Sequence, residues 1–236
     1  MIRALRKAIL ALVLGAGLGV VALFVFFPVL RGAACPGCYG LEPVSTTLFV
    51  EAGMPDHARG ALATEIAAAR GRIAQVFGPA RAHLRILACA SAACDRRLGG
   101  RGAAAVTYSL GAVSVVRLAP RGLTPTVLTH ELTHTETHAR LGIWGQVSNR
   151  MPIWMDEGIA VLVSDDPRYL RPGTGPERCL KPPRAPLPVA PRSWGPVAAQ
   201  DRSIYAAAAC ATLLWMEKNG AWAGVWRRLA ARKPLP

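Results

Sequence analysis

The chain has 236 residues, room for one medium domain and an appendage. Hydrophobic residues make up 52% of it, part of that excess lying at the N-terminus, and 28 basic against 14 acidic side chains leave a net charge of +14. The charge is scattered, with no helix basic along one face and no alternation of basic and aromatic residues, which speaks against nucleic acid as a partner. Anionic lipid head groups or an anionic cell envelope are simpler electrostatic partners.

In chain order, "MIRALRK" is basic and the run from Ala8 to Phe27 carries no charge. Twenty residues at about 1.5 Å each span about 30 Å, the hydrocarbon core of a bilayer. The run is longer than the apolar core of a cleaved signal peptide, and Gly32 stands where a lipoprotein signal wants a branched apolar residue. A cytoplasmic tip and an uncleaved transmembrane helix are therefore expected over residues 1–30. Arg3, Arg6 and Lys7 before the span, against Arg31 after it, place the N-terminus in the cytoplasm and the remainder outside. The Ala-, Arg-, Gly- and Pro-rich composition suggests GC-rich bacterial coding, so the expected location is the inner membrane with a periplasmic domain.

All six cysteines follow the apolar run, as a disulfide framework in an oxidising compartment requires. Nearest-neighbour pairing gives Cys35–Cys38, Cys89–Cys94 and Cys179–Cys210. "CPGC" also has redox or zinc-pair spacing, but no second CxxC and no strand–helix–strand pattern accompanies it, so a structural bridge is favoured.

Residues 31–45 read as a tethering linker and 46–236 as the folded domain. "TTLFVEAG" (46–53) has strand composition. Pro55 opens an Ala-rich helix to about Val76, with Leu62, Ile66, Ile73 and Val76 as its apolar stripe. "HLRILACA" (83–90) is a second strand, and "AAAVTYS" (103–109) with "VSVVRLAP" (113–120) forms a hairpin. Helices follow. One runs from Thr124 as N-cap and Pro125 at N1 to Gly142, a second covers 152–166, and a third covers 201–220 with a short fourth after it. Residues 167–200, with nine prolines, read as a long irregular loop bordering a cleft. Strands first and helices after them predict an α+β domain, a mixed sheet plus helix followed by a helical part.

Residues 129–138, "THELTHTETH", hold three of the five histidines. Residues four apart share a helix face, so His130 and His134 present their imidazoles side by side, the arrangement two ligands of one zinc ion need. Glu131 is offset from both and reaches a water at the metal without coordinating the metal itself. His138 lies some 12 Å from His130 along the axis at about 1.5 Å per residue, too far to share one ion easily, and reads as an exposed or supporting histidine. Thr137 and Arg140 occupy the Gly and third-His positions of the class with three histidine ligands, which excludes that class. The better third ligand is Glu157 in "IWMDEGIAVLV", because a carboxylate on an apolar helix is costly unless paired or coordinated. Gly158 would let that helix approach the histidine helix closely. Asp156 either orients a histidine's second nitrogen or caps its own helix.

"VLTHELTHTETH" followed by "MPIWMDEGIAVLV" resembles the gluzincin metallopeptidases, particularly the aminopeptidase-N-like branch, in which a W-x-[ND]-E-G-x-A helix donates a glutamate ligand. The resemblance spans about 46–230 in order of elements but only 127–163 in specific motifs. It implies a zincin-like fold, one zinc ion per chain on His130, His134 and Glu157, Glu131 as general base, and a peptide or protein substrate. It further offers Tyr205 as the candidate oxyanion stabiliser, beside the plainer reading of half-buried packing at a helix start, and tips "VSVVRL" (113–118) toward an edge strand that pairs with an extended substrate over an ordinary sheet strand. Twenty-two residues separate His134 from Glu157, more than is usual in that branch, and the exopeptidase Gly-rich motif is missing, so aminopeptidase specificity does not follow. The alternative is a catalytically inactive binding or assembly module of the envelope, against which the intact Glu131 argues.

Overall fold

The computed structural model describes residues 2–236. Its first helix, α1 (Ile2–Phe26), is solvent-exposed along the side chains described and has a mean hydropathy of 2.8 over its most apolar part, Leu5–Phe26. Such a helix is long and apolar enough to serve as a membrane span or a signal sequence.

Pro28 does not end the helical chain but restarts it. It sits at the first position of α2 (Pro28–Ala34), whose fixed φ suits a helix start. Val29 and Ala33, one turn apart, bury against Leu87, Cys94 and Leu98, and β1 (Leu41–Pro43) then pairs with β2 (Leu48–Glu51). The expected linker 31–45 is therefore corrected: it is part of the folded domain, because Val29, Ala33 and Leu41 supply apolar surface that one face of the sheet needs covered.

Five strands form one mixed sheet in the order β1-β2-β3-β5-β4, with β3 at His83–Ala88, β4 at Ala105–Leu110 and β5 at Val113–Leu118. The β2–β3 and β3–β5 pairs are parallel, while β1–β2 and the β4–β5 hairpin are antiparallel. Side chains alternate across the sheet. Ile86, Ala88, Val116 and Leu118 face α3 (Asp56–Phe77) and the later helices, and Leu87 and Val115 face α2. The stripe of α3 is Leu62, Ile66, Ala69, Ile73 and Phe77; Val76 lies only partly buried beside it. On the α2 side, α4 (Ala92–Arg97) carries Asp95, which pairs with the fully buried Arg117 of β5.

Of the two readings of residues 113–118, the ordinary sheet strand holds and the edge strand is corrected. "VSVVRL" is β5, hydrogen-bonded on both sides, and the edge is its hairpin partner β4. The hairpin was legible in sequence, but which arm faces outward depends on β3 choosing β5, a long-range pairing.

α5 (Pro125–Val147) starts as expected, with the Thr124 hydroxyl accepting from the Val127 N–H at 3.4 Å. At Gly142 the backbone leaves helical geometry (φ 66°, ψ 173°), and a further turn runs on to Val147. α6 (Ile153–Ser164) lies between α5 and α8 (Ile204–Asn219), buried along nearly its whole length. Gly158 does serve a close approach, but to α8. A Cβ there would sit 2.1 Å from Thr212 Oγ1 and 2.6 Å from the Ala208 carbonyl oxygen. The segment after α6 is more ordered than a free loop. It contains a bridge between Leu170 and Cys179, and α7 (Pro191–Gln200), before α8 and α9 (Ala221–Ala230) complete the chain. All three nearest-neighbour disulfides are present. The architecture is thus α+β: a mixed five-stranded sheet, many helices and one apolar N-terminal helix.

Candidate metal centre

Four-residue spacing on α5 brings the His130 and His134 rings to 4.9 Å between centroids, nearly perpendicular to one another. α6 crosses this face and presents Glu157. Its Oε2 lies 3.2 Å from His130 Nε2 and 3.7 Å from His134 Nε2. The three donor atoms lie within 4.8 Å of one another, in a group able to hold a metal ion. Ligands of one tetrahedral ion at about 2.0–2.2 Å stand about 3.3–3.6 Å apart, so this donor set fits one ion with little rearrangement.

Asp156, the neighbour of Glu157, faces the same helix from one side. Its Oδ2 is 2.9 Å from His134 Nδ1 and 2.9 Å from His138 Nε2. Engaging Nδ1 leaves His134 Nε2 free to face Glu157, the usual arrangement by which a carboxylate fixes the tautomer of a ligating histidine. Asp156 is therefore an orienting group; the N-cap of α6 is Pro152. His134, His138 and Asp156 also form a possible ligand trio. Here both imidazoles meet a single oxygen, Asp156 Oδ2, at 2.9 Å, which is a shared hydrogen-bond acceptor and favours the orienting role. His138 is the support for Asp156, consistent with its distance from His130.

The electrostatics follow from burial and pairing. Burial opposes a charge on His134, but the Asp156 and Glu157 carboxylates outweigh it and hold its pKa well above the ordinary value. Burial would raise both acids, yet His134 and His138 draw Asp156 far below the usual carboxylate range, and His130 and His134 lower Glu157. Both carboxylates are thus held ionised by the histidines beside them, and a cation taking His134 Nε2 as a ligand would displace the proton there.

Glu131 stands beside the trio and outside it. The Thr107 hydroxyl on β4 donates to its Oε2 at 2.7 Å, and is also 3.1 Å from its backbone carbonyl oxygen. Sequence reasoning missed Thr107. Its only signal was an inward position on a strand next to the histidine helix, which needs the sheet order to be read.

A cleft of about 440 Å³ borders His130, Glu131 and Tyr205. Tyr205, at the start of α8, lies 6.1 Å from the His130 ring and stacks on Tyr169 at 5.2 Å, while Trp194 of α7 meets it edge-on at 5.3 Å. Burial first, then the negative charges of Glu157 and Glu131, raise the Tyr205 pKa, so its phenol stays a hydrogen-bond donor. Tyr169 and Trp194 come from the Pro-rich segment, whose lack of periodicity hid them.

No family model, no curated protein and no solved structure matches the chain. The site's own geometry is the ground for any functional reading.

If Asp156 orients His134, Asp156→Asn, which keeps the shape and removes the charge, is expected to weaken metal affinity by about 10–100-fold. Competition with a chromophoric chelator measures this directly. Unchanged affinity would remove Asp156 from the site.

Proposed function

We propose that the chain is a zinc-dependent peptidase, anchored in a membrane by α1 with its disulfide-bonded domain on the extracytoplasmic side. The observation that carries the reading is the approach of His130 Nε2, His134 Nε2 and Glu157 Oε2 to one point, with an uncoordinated carboxylate, Glu131, beside them. Two imidazoles and one carboxylate are the donor set of a catalytic zinc site that keeps a further position open, and the intermediate softness of these ligands suits zinc. A zinc ion held there supplies a Lewis acid that polarises a carbonyl and makes water acidic near neutral pH.

The remaining work falls to the chain itself. Glu131, held by Thr107, takes a proton from the attacking water and hands it to the departing amine. Tyr205, lining the same cleft, donates its O–H toward the oxygen that gains charge as the carbonyl is attacked. The free edge of β4, the strand that carries Thr107, offers backbone groups with which an extended peptide pairs.

The test is metal content of the detergent-purified full chain beside its His130→Ala variant. Stoichiometric zinc in the first and its loss in the second is the expected pair of results. No zinc in either ends this reading.

A further inference from the structure

The end of the domain away from His130, His134 and Glu157 carries apolar side chains that nothing among the described residues covers. At the tip of the β4–β5 hairpin, Leu110 and Val113 are 60% and 61% exposed. Beside them, in the turn of α5 beyond the Gly142 kink, Trp144 is 78% and Val147 71% exposed, with Ile143 between hairpin and kink. The two segments are one unit. The Gly111 N–H donates to Gln146 Oε1 at 2.8 Å, and the Gly111 backbone packs so closely on Ile143 that a Cβ would lie 2.9 Å from its Cγ1. Scattered exposed apolar residues need no explanation, but two such groups joined through Gly111 at one end of the domain, with a tryptophan among them, mark a contact surface.

Two features identify what it touches. Next to Trp144 and Ile143 opens a groove of about 540 Å³, with Phe77 and Trp226 among its lining and basic side chains around it. Among the described residues no acid lines it, while Arg150, Arg232 and Lys233 do. Apolar floor and cationic rim complement acyl chains and anionic head groups, and tryptophan prefers that interface. The second feature is the position of the anchor. Phe27, directly after α1, meets the Tyr108 ring at 6.1 Å, and Leu110 follows Tyr108 on the same face of β4, about 7 Å further along. The hairpin tip therefore starts close to where the apolar helix leaves the domain.

We propose that Leu110, Val113, Ile143, Trp144 and Val147 insert into the interface of an anionic bilayer, with Arg150, Arg232 and Lys233 on its head groups, so that the domain lies against the membrane that α1 enters. The inference rests on reading α1 as a membrane span, and is independent of the zinc chemistry. Contact at two points fixes the domain's orientation relative to the bilayer, which a single tether does not.

The full chain is reconstituted into phosphatidylcholine vesicles with and without phosphatidylglycerol, and its fluorescence is quenched by lipids brominated along their acyl chains. The difference between the chain and Trp144→Phe isolates the Trp144 emission. The expected result is quenching of that component by brominated lipid and its shielding from aqueous iodide. A Arg232→Glu/Lys233→Glu variant should lose part of the quenching in vesicles containing phosphatidylglycerol and none in pure phosphatidylcholine. Trp144 emission open to iodide and untouched by brominated lipid, in a chain that resists alkaline carbonate extraction, overturns the docking while leaving the anchor intact. Shielding of Trp144 that depends on protein concentration and not on lipid assigns the surface to a second copy and overturns it too. Release of the chain by carbonate overturns both the anchor and the docking, and leaves the zinc measurement to stand or fall alone.

Discussion

Replacing Glu131 by Gln is expected to lower peptide hydrolysis by about 10²–10⁴-fold, the usual contribution of a positioned general base. The expectation is specific because the substitution changes so little else. The Thr107 hydroxyl that donates to Glu131 Oε2 at 2.7 Å finds an acceptor in the amide oxygen as well, so the side chain keeps its place. The donor atoms of His130, His134 and Glu157 are untouched, so bound zinc is expected to stay at the wild-type level. Loss of turnover with retention of metal separates a proton-transfer role from a structural one. Turnover that survives the change at full rate would exclude the mechanism, and turnover lost together with zinc would make Glu131 a structural support. The same pair of measurements discriminates an active peptidase from an inert zinc-holding module of the envelope.

The second large effect concerns stability. Cys179–Cys210 joins residues separated by 31 positions, from the segment after α6 to the middle of α8. In the chain-entropy account, closing a loop of that length stabilises the folded state by about 3–4 kcal/mol. The double substitution Cys179→Ala/Cys210→Ala is thus expected to lower the thermal midpoint by roughly 10 °C for a domain of this size. The bridges Cys35–Cys38 and Cys89–Cys94 span separations of only 3 and 5 and have less unfolded-chain entropy to remove. The cleft should feel the change as well. Cys179 pairs across a bridge with Leu170, next to the Tyr169 that stacks on Tyr205, so the cleft wall loses one of its fastenings. Thermal unfolding followed by circular dichroism checks the first effect, and limited proteolysis between residues 171 and 190 checks the second. A midpoint equal to that of the parent chain would show that packing alone holds the segment.

Much of the candidate site was legible before any coordinates. The helix over His130 and His134, its Thr124 cap and Pro125 start, the shared face of the two imidazoles and the separate position of Glu131 follow from a rise and a rotation that apply to every residue of a helix. The three disulfides were also local enough to guess, two of them because short separations leave little choice of partner. Glu157 was inferred from cost, since an acid on an apolar helix needs a counterpart, but its counterpart was not visible. Tertiary packing decided that. The buried face of α6 turned Glu157 toward both imidazoles and Asp156 toward His134 and His138, and it set Gly158 against α8. The sheet order decided that β4 is the edge, and so that Thr107 meets Glu131. Burial of Val29 and Ala33 decided that residues after Pro28 belong to the domain. Dihedral preferences and spacing act between neighbours in sequence, so a single chain states them openly. Which apolar faces exclude water together depends on all the elements at once, and that selection placed the acids beside the histidines.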